Sequence, residues 1–194
     1  HYMRGEPYIM RMESGVGKPT DSRFGVDFAG TIEAVGSKVT MFKPGDKVFG
    51  SAAGAFAEYV TVRESRAIAT MPDGVSFEQA AAVPVAAITA LQALRDKGRV
   101  VAGQKVLING ASGGVGTYAV QIAKSMGAQV TGVCSTRNVE LVRSLGADRV
   151  IDYTKKDFTR NGETYDAVFD AVGKHSFRRC RRSLRPRGIY VSTD

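Results

Sequence analysis

Val106-Leu107-Ile108-Asn109-Gly110-Ala111-Ser112-Gly113-Gly114-Val115-Gly116 carries a short apolar run into a glycine-rich turn. Beyond the turn, Val115, Tyr118, Ala119, Ile122, Ala123 and Met126 recur at helical spacing, so the stretch reads as strand, turn and helix. Ala111, Gly113 and Gly116 occupy the three positions of the G-x-G-x-x-G dinucleotide fingerprint, with alanine in the first. A turn of this kind offers a pyrophosphate a backbone free of side chains, together with the N–H groups and dipole of a helix N-terminus. The competing reading is a tight structural connection, and the context argues against it. Gly127 is a helix-stop signal, and the apolar run from Gln129 to Cys134 follows at once, which completes a strand-helix-strand unit of the expected length.

The end of that second strand selects the nucleotide. A site for NAD places Asp or Glu there to accept from the ribose 2′-hydroxyl. Here the chain reads Cys134-Ser135-Thr136-Arg137-Asn138, with no carboxylate. Hydroxyl groups and a guanidinium suit a 2′-phosphate, to which arginine donates a forked pair of charge-assisted hydrogen bonds. NADPH is therefore the expected cofactor, with Ser135, Thr136 and Arg137 as its selecting residues. The plainer alternative makes Arg137 a solvated residue at the start of the next helix.

Composition bounds the rest. A chain of 194 residues with 43% hydrophobic content is an ordinary globular one, long enough for one large or two small domains. No apolar run approaches the roughly 18 residues of a membrane span, and the first residues lack a signal-peptide core, so a cytoplasmic protein with no membrane partner is expected. Cys134 and Cys180 share no short spacing, and with only His1 and His175 beside them they make neither a disulfide framework nor a zinc cluster. The formal charge is +8, and six arginines crowd between Arg178 and Arg187. That segment has no interleaved aromatic residues and no nucleic-acid motif, so it reads as a solvated helix face and turn, and nucleic acid is not an expected partner.

The first eighty or so residues read as β-rich. Residues 1–23 are polar and irregular; strand-like stretches follow at Phe24 to Gly36, after the Pro44-Gly45-Asp46 turn, and at Ala55 to Val62. Ser76 and Gln79 form a capping-box pattern ahead of an Ala-rich helical segment, Phe77 to Leu94, interrupted at Pro84. The domain boundary is placed there, giving residues 1–85 and 86–194. Beyond it strand and helix alternate: Lys105 to Asn109, Gly114 to Met126, Gln129 to Cys134, Asn138 to Leu145, Arg149 to Ile151, Asp166 to Asp170, Ser176 to Leu184 and Ile189 to Ser192. Alternation of this kind makes a parallel, doubly wound α/β sheet.

Several stretches together resemble a known family. Gly25-Val26-Asp27-Phe28-Ala29-Gly30 with Val35-Gly36, then Pro44-Gly45-Asp46-Lys47-Val48, then Asn109 to Gly116, then Gly146-Ala147-Asp148 with Val150-Ile151-Asp152-Tyr153 are similar to the medium-chain dehydrogenase/reductase superfamily. Within it the chain most resembles the zinc-free, zeta-crystallin-like quinone oxidoreductases. Zinc alcohol dehydrogenases of the superfamily carry Gly-His-Glu where this chain has Gly25-Val26-Asp27, and a four-cysteine lobe that this sequence lacks. The resemblance implies a partial GroES-like catalytic lobe followed by a Rossmann sheet lacking its last strand. It also implies a chain belonging to a longer protein, with NADPH in the cleft and hydride passed to a quinone or an activated alkene. An enoyl-thioester or alkenal reductase is the alternative enzyme, and a non-catalytic NADPH-binding protein the alternative of another class. The same resemblance sets Asn109, Ala111, Ser112, Gly113, Gly114, Val115 and Gly116 around the pyrophosphate and Thr89 near the nicotinamide. It puts Ser135, Arg137 and Tyr153 around the 2′-phosphate and adenosine, and Val172 and Gly173 on the adenine ribose side. Thr89 is otherwise an ordinary helix residue and Tyr153 a strand-end aromatic. A small-molecule substrate, no metal and a homodimer or homotetramer complete what the resemblance implies; no residue stands out as a catalytic acid.

Overall fold

The computed structural model describes residues 23–173 and 175–193. The expectation for residues 1–23 falls, except for Arg23, outside the described residues. The chain forms two compact units that divide at Pro84 and Val85.

In the first unit, β1 (Asp27–Thr31), β2 (Lys47–Ser51) and β3 (Ile68–Thr70) form an antiparallel sheet in that order. The Pro44-Gly45-Asp46 turn sets the start of β2. The Asp46 side chain accepts from the Lys43 N–H at 3.0 Å, and Ile32 N–H donates to the Asp46 carbonyl at 2.9 Å. One expectation fails here. Ala55 to Val62 is not a strand: Gly54 turns the backbone at φ +83°, and Phe56 and Tyr59 stand 82% and 72% exposed. The third strand comes later, at Ile68–Thr70, three residues too short to show a period. α1 (Phe77–Ala81) opens with the expected capping box, Gln79 N–H donating to Ser76 Oγ and Ser76 N–H to Gln79 Oε1. Ala82 and Val83 separate it from α2 (Pro84–Leu91), which Pro84 opens and which continues into a wider π-type turn over Gln92–Lys97.

The second unit is a five-stranded parallel sheet. Its strands are β4 (Lys105–Asn109), β5 (Gln129–Cys134), β6 (Arg149–Asp152), β7 (Tyr165–Asp170) and β8 (Leu184–Ser192), in the spatial order β6-β5-β4-β7-β8. α3 (Gly114–Ser125), α4 (Val139–Ser144) and the single turn α5 (Phe177–Cys180) connect them. Alternate strand residues feed two cores. Val106, Ile108, Ala167 and Phe169 join Ala119, Val120 and Ala123 of α3 on one face, while Leu107, Val168, Phe158 and Cys180 pack on the other. Val106, Leu107 and Ile108 are wholly buried, each worth about 1.5–3 kcal/mol against exposure. β8 begins five residues earlier than its apolar pattern suggested, because Arg187 takes a left-handed turn (φ 66°) inside the strand and the register with β7 shifts there. Among the described residues no helix is long and apolar enough to cross a membrane.

Candidate nucleotide site

From β4 the chain builds outward through β5 to β6, then returns past β4 to β7 on its other side. The carboxyl ends of β4 and β7 therefore flank the topological switch point, where open α/β sheets bind their ligands. At that point β4 ends in Asn109 and the backbone reverses at Gly110, whose φ of +80° and close neighbour Val172 leave no room for a side chain. Gly110 and Ala111 N–H groups donate to the Val133 carbonyl at 3.1 and 3.0 Å, tying the turn to the end of β5. A Cβ on Gly116 would come 2.0 Å from the Gly110 carbonyl oxygen, so the helix can lie this close to the turn only with glycine there.

Gly113 caps α3 without a side-chain bond, and the first helical bond runs from Thr117 N–H to the Gly113 carbonyl at 2.9 Å. The N–H groups of Gly114, Val115 and Gly116 precede it and point out of the helix end. Gly113 and Gly114 are exposed, and a Cβ on Gly114 would meet nothing within 4 Å. The turn is a cradle of backbone donors with open space in front of it, which fits a pyrophosphate.

Beside it lies the loop after β5. Asn138 Nδ2 donates to Ser112 Oγ at 2.9 Å and to Ser135 Oγ at 3.4 Å, joining the glycine turn to that loop. Each serine oxygen accepts from the amide, which leaves both hydroxyl protons available to an incoming acceptor. Arg137 is exposed and pairs with no carboxylate among the described residues. One carboxylate does stand close. Asp152, at the end of β6, accepts from Thr136 Oγ1 at 2.5 Å, from Thr154 Oγ1 at 2.7 Å and from Thr154 N–H at 3.0 Å, with Lys155 at 3.7 Å. These bonds, that of Thr136 foremost, bring its carboxyl down to about 2, so its oxygens are spoken for. Tyr153 follows, 61% exposed, its N–H donating to the Cys134 carbonyl. Burial, with Asp152 nearby, pushes the Cys134 thiol up, away from a reactive thiolate.

The turn after β7 (Tyr165–Asp170) carries Val172 and Gly173. Both stand across β4 from the Ser135–Arg137 loop. They surround a carboxyl that sequence reasoning passed over. Asp170, 0% exposed, accepts from Asn109 Nδ2 at 2.9 Å, Val172 N–H at 3.0 Å and Gly173 N–H at 3.2 Å, and shares the Tyr190 OH proton at 3.2 Å with the His175 carbonyl at 2.9 Å. Its sequence signal was an acidic residue closing an apolar strand. Thr89 lies half-buried on α2, and among the described residues no hydrogen bond joins it to this cluster.

A cavity of about 450 Å³ opens at the opposite, amino-terminal ends of the strands. Its guanidinium groups are held by carboxylates, Arg149 by Glu163 at 2.7 Å and Arg185 by Asp166 at 2.8 Å. Among the described residues no group of three or more His, Cys, Asp and Glu side chains is placed to hold a metal ion.

A glycine cradle at the switch point of a doubly wound sheet, preceded in the chain by a small antiparallel β unit, is the architecture of the pyridine-nucleotide-dependent oxidoreductases. The family described as zinc-binding dehydrogenase matches residues 114–193, and that described as alcohol dehydrogenase GroES-like domain matches residues 1–73. The chain belongs to the medium-chain dehydrogenase/reductase superfamily and is similar within it to quinone oxidoreductases. It is 38% identical over 180 residues to a quinone oxidoreductase of Pseudomonas aeruginosa, covering 88% of this chain and 55% of that one. It is also 38% identical over 183 residues to the chloroplastic NADPH-dependent alkenal/one oxidoreductase of Arabidopsis thaliana, covering 86% and 47%. The structure of the quinone oxidoreductase from Coxiella burnetii superposes with a TM-score of 0.82 at 35% identity, over 95% of this chain and 58% of that one. The chain thus spans about half the length of the curated relatives it matches.

Proposed function

We propose that this chain carries the nucleotide-binding half of an NADPH-dependent reductase that passes hydride to a quinone or an activated alkene. The observation that carries the cofactor choice is the ribose loop: Arg137 has no carboxylate partner among the described residues, while Asp152, at the end of the neighbouring strand, is occupied by Thr136 and Thr154. Ser135 and Arg137 would hold the 2′-phosphate, Tyr153 would stack on the adenine, and the N–H groups of Gly114 to Gly116 would take the pyrophosphate. NADPH, when bound, supplies the hydride. The chain's part is to orient the nucleotide on a rigid turn. The substrate class follows from the relatives, named as a quinone oxidoreductase and an alkenal/one oxidoreductase.

Arg137→Glu tests the reading. It should weaken NADPH at least tenfold, about 1.4 kcal/mol, and change NADH less than twofold, measured by nucleotide fluorescence. An equal loss for both nucleotides would remove the 2′-phosphate assignment. Comparing quinones, enones and enoyl thioesters as oxidants of NADPH then separates the substrate classes.

A further inference from the structure

Burying a polar side chain costs free energy unless its hydrogen bonds are made, and an apolar residue at the end of β7 would carry no such cost. The chain instead buries Asp170 completely and surrounds it with three N–H donors and the Tyr190 hydroxyl, whose one proton is shared with the His175 carbonyl. The donors come from different places. Asn109 closes β4 immediately before the glycine turn, Val172 and Gly173 form the turn after β7, and Tyr190 reaches over from β8. A single oxygen, Oδ1, takes the Asn109 amide and both turn N–H groups. Val172, 43% exposed, is in turn packed against Gly110. Asp170 thus fixes the two turns that flank the switch point to one another.

The sheet order says which part of a dinucleotide would meet them. With the adenine ribose over the end of β5, a nucleotide crossing the glycine turn extends its other half toward β7. We propose that Asp170 is a positioning residue for the nicotinamide half of the site, acting through the Asn109 amide and the N–H groups of Val172 and Gly173. The proposal rests on the nucleotide reading given above.

Asp170→Ala takes the acceptor away from the Asn109 amide and from the Val172 and Gly173 N–H groups, while the Tyr190 hydroxyl keeps the His175 carbonyl. Two ligands separate positioning from general damage: NADPH, and adenosine 2′,5′-bisphosphate, which holds the adenine and 2′-phosphate but no nicotinamide. In the variant, NADPH should bind tenfold or more weakly while the bisphosphate stays within twofold of its affinity for the unaltered chain. Equal losses for the two ligands, or no loss for either, would overturn the proposal while leaving nucleotide binding intact. Failure of the unaltered chain to bind either ligand would overturn the nucleotide reading itself, and this proposal with it. Should the variant not fold, amide hydrogen exchange in the unaltered chain gives the same decision. NADPH should slow exchange across residues 170–176 and the bisphosphate should not; equal slowing by both, or none by NADPH, contradicts the assignment.

Discussion

The hydroxyl of Thr136 does more for the site than its type suggests, because it takes an oxygen of Asp152 and draws that carboxyl down to about 2 from the ordinary 3.8. A carboxyl lowered on folding stabilises the folded chain above its unfolded value, and that stabilisation is lost as pH falls through the folded one. For Asp152 the window runs from about 4 down to about 2. Thr136→Val should move its titration toward 3.8, followed by the pH dependence of its carboxyl NMR signal, and should flatten the acid dependence of stability in that window. A titration unchanged in the variant would mean that another donor sets it. Ser135 and Arg137 were readable because both lie in one loop. Asn138, Asp152 and Asp170 were not, since their partners Ser112, Thr136 and Asn109 lie 26, 16 and 61 residues away and meet them only where parallel strands end side by side.

The glycine turn and α3 show where local pattern suffices. The apolar run, the glycines and the 3.6-residue period of α3 all name the same strand-turn-helix, and the structure places its elements at Lys105–Asn109 and Gly114–Ser125. Its two inner glycines make opposite predictions. Gly116→Ala forces a Cβ to 2.0 Å from the Gly110 carbonyl oxygen, so it should cost about 1–3 kcal/mol in urea unfolding as well as nucleotide affinity. Gly114→Ala meets open space, so it should leave stability unchanged or slightly raised while still blocking the approach of a phosphate. Loss of stability in both variants, or in neither, would contradict the turn described here. Pattern failed where elements were short or bent: the mixed run from Ala55 to Val62 met no partner strand after Gly54 reversed the chain, and the early part of β8 is polar and twisted at Arg187.

Across the molecule the fold class was legible, since alternating strands and helices admit a doubly wound sheet, but the strand order was not. That order sets Val172 and Gly173, after β7, across β4 from the loop after β5. The two units also differ in core. Among the described residues of the first, Val48 and Ala80 are the buried hydrophobic side chains, whereas the second sandwiches its sheet between two buried clusters. Phe169→Ala, removing a 1% exposed ring from the larger cluster, should cost about 3–5 kcal/mol in urea unfolding, and amides of β4 and β7 should exchange more slowly than those of β1 to β3. The most direct test of the whole account is a fluorescence titration of this chain with NADPH and NADH side by side at one salt concentration. NADPH should bind, with NADH weaker by tenfold or more, about 1.4 kcal/mol. NADH binding as tightly as NADPH, or no binding of either, would contradict it.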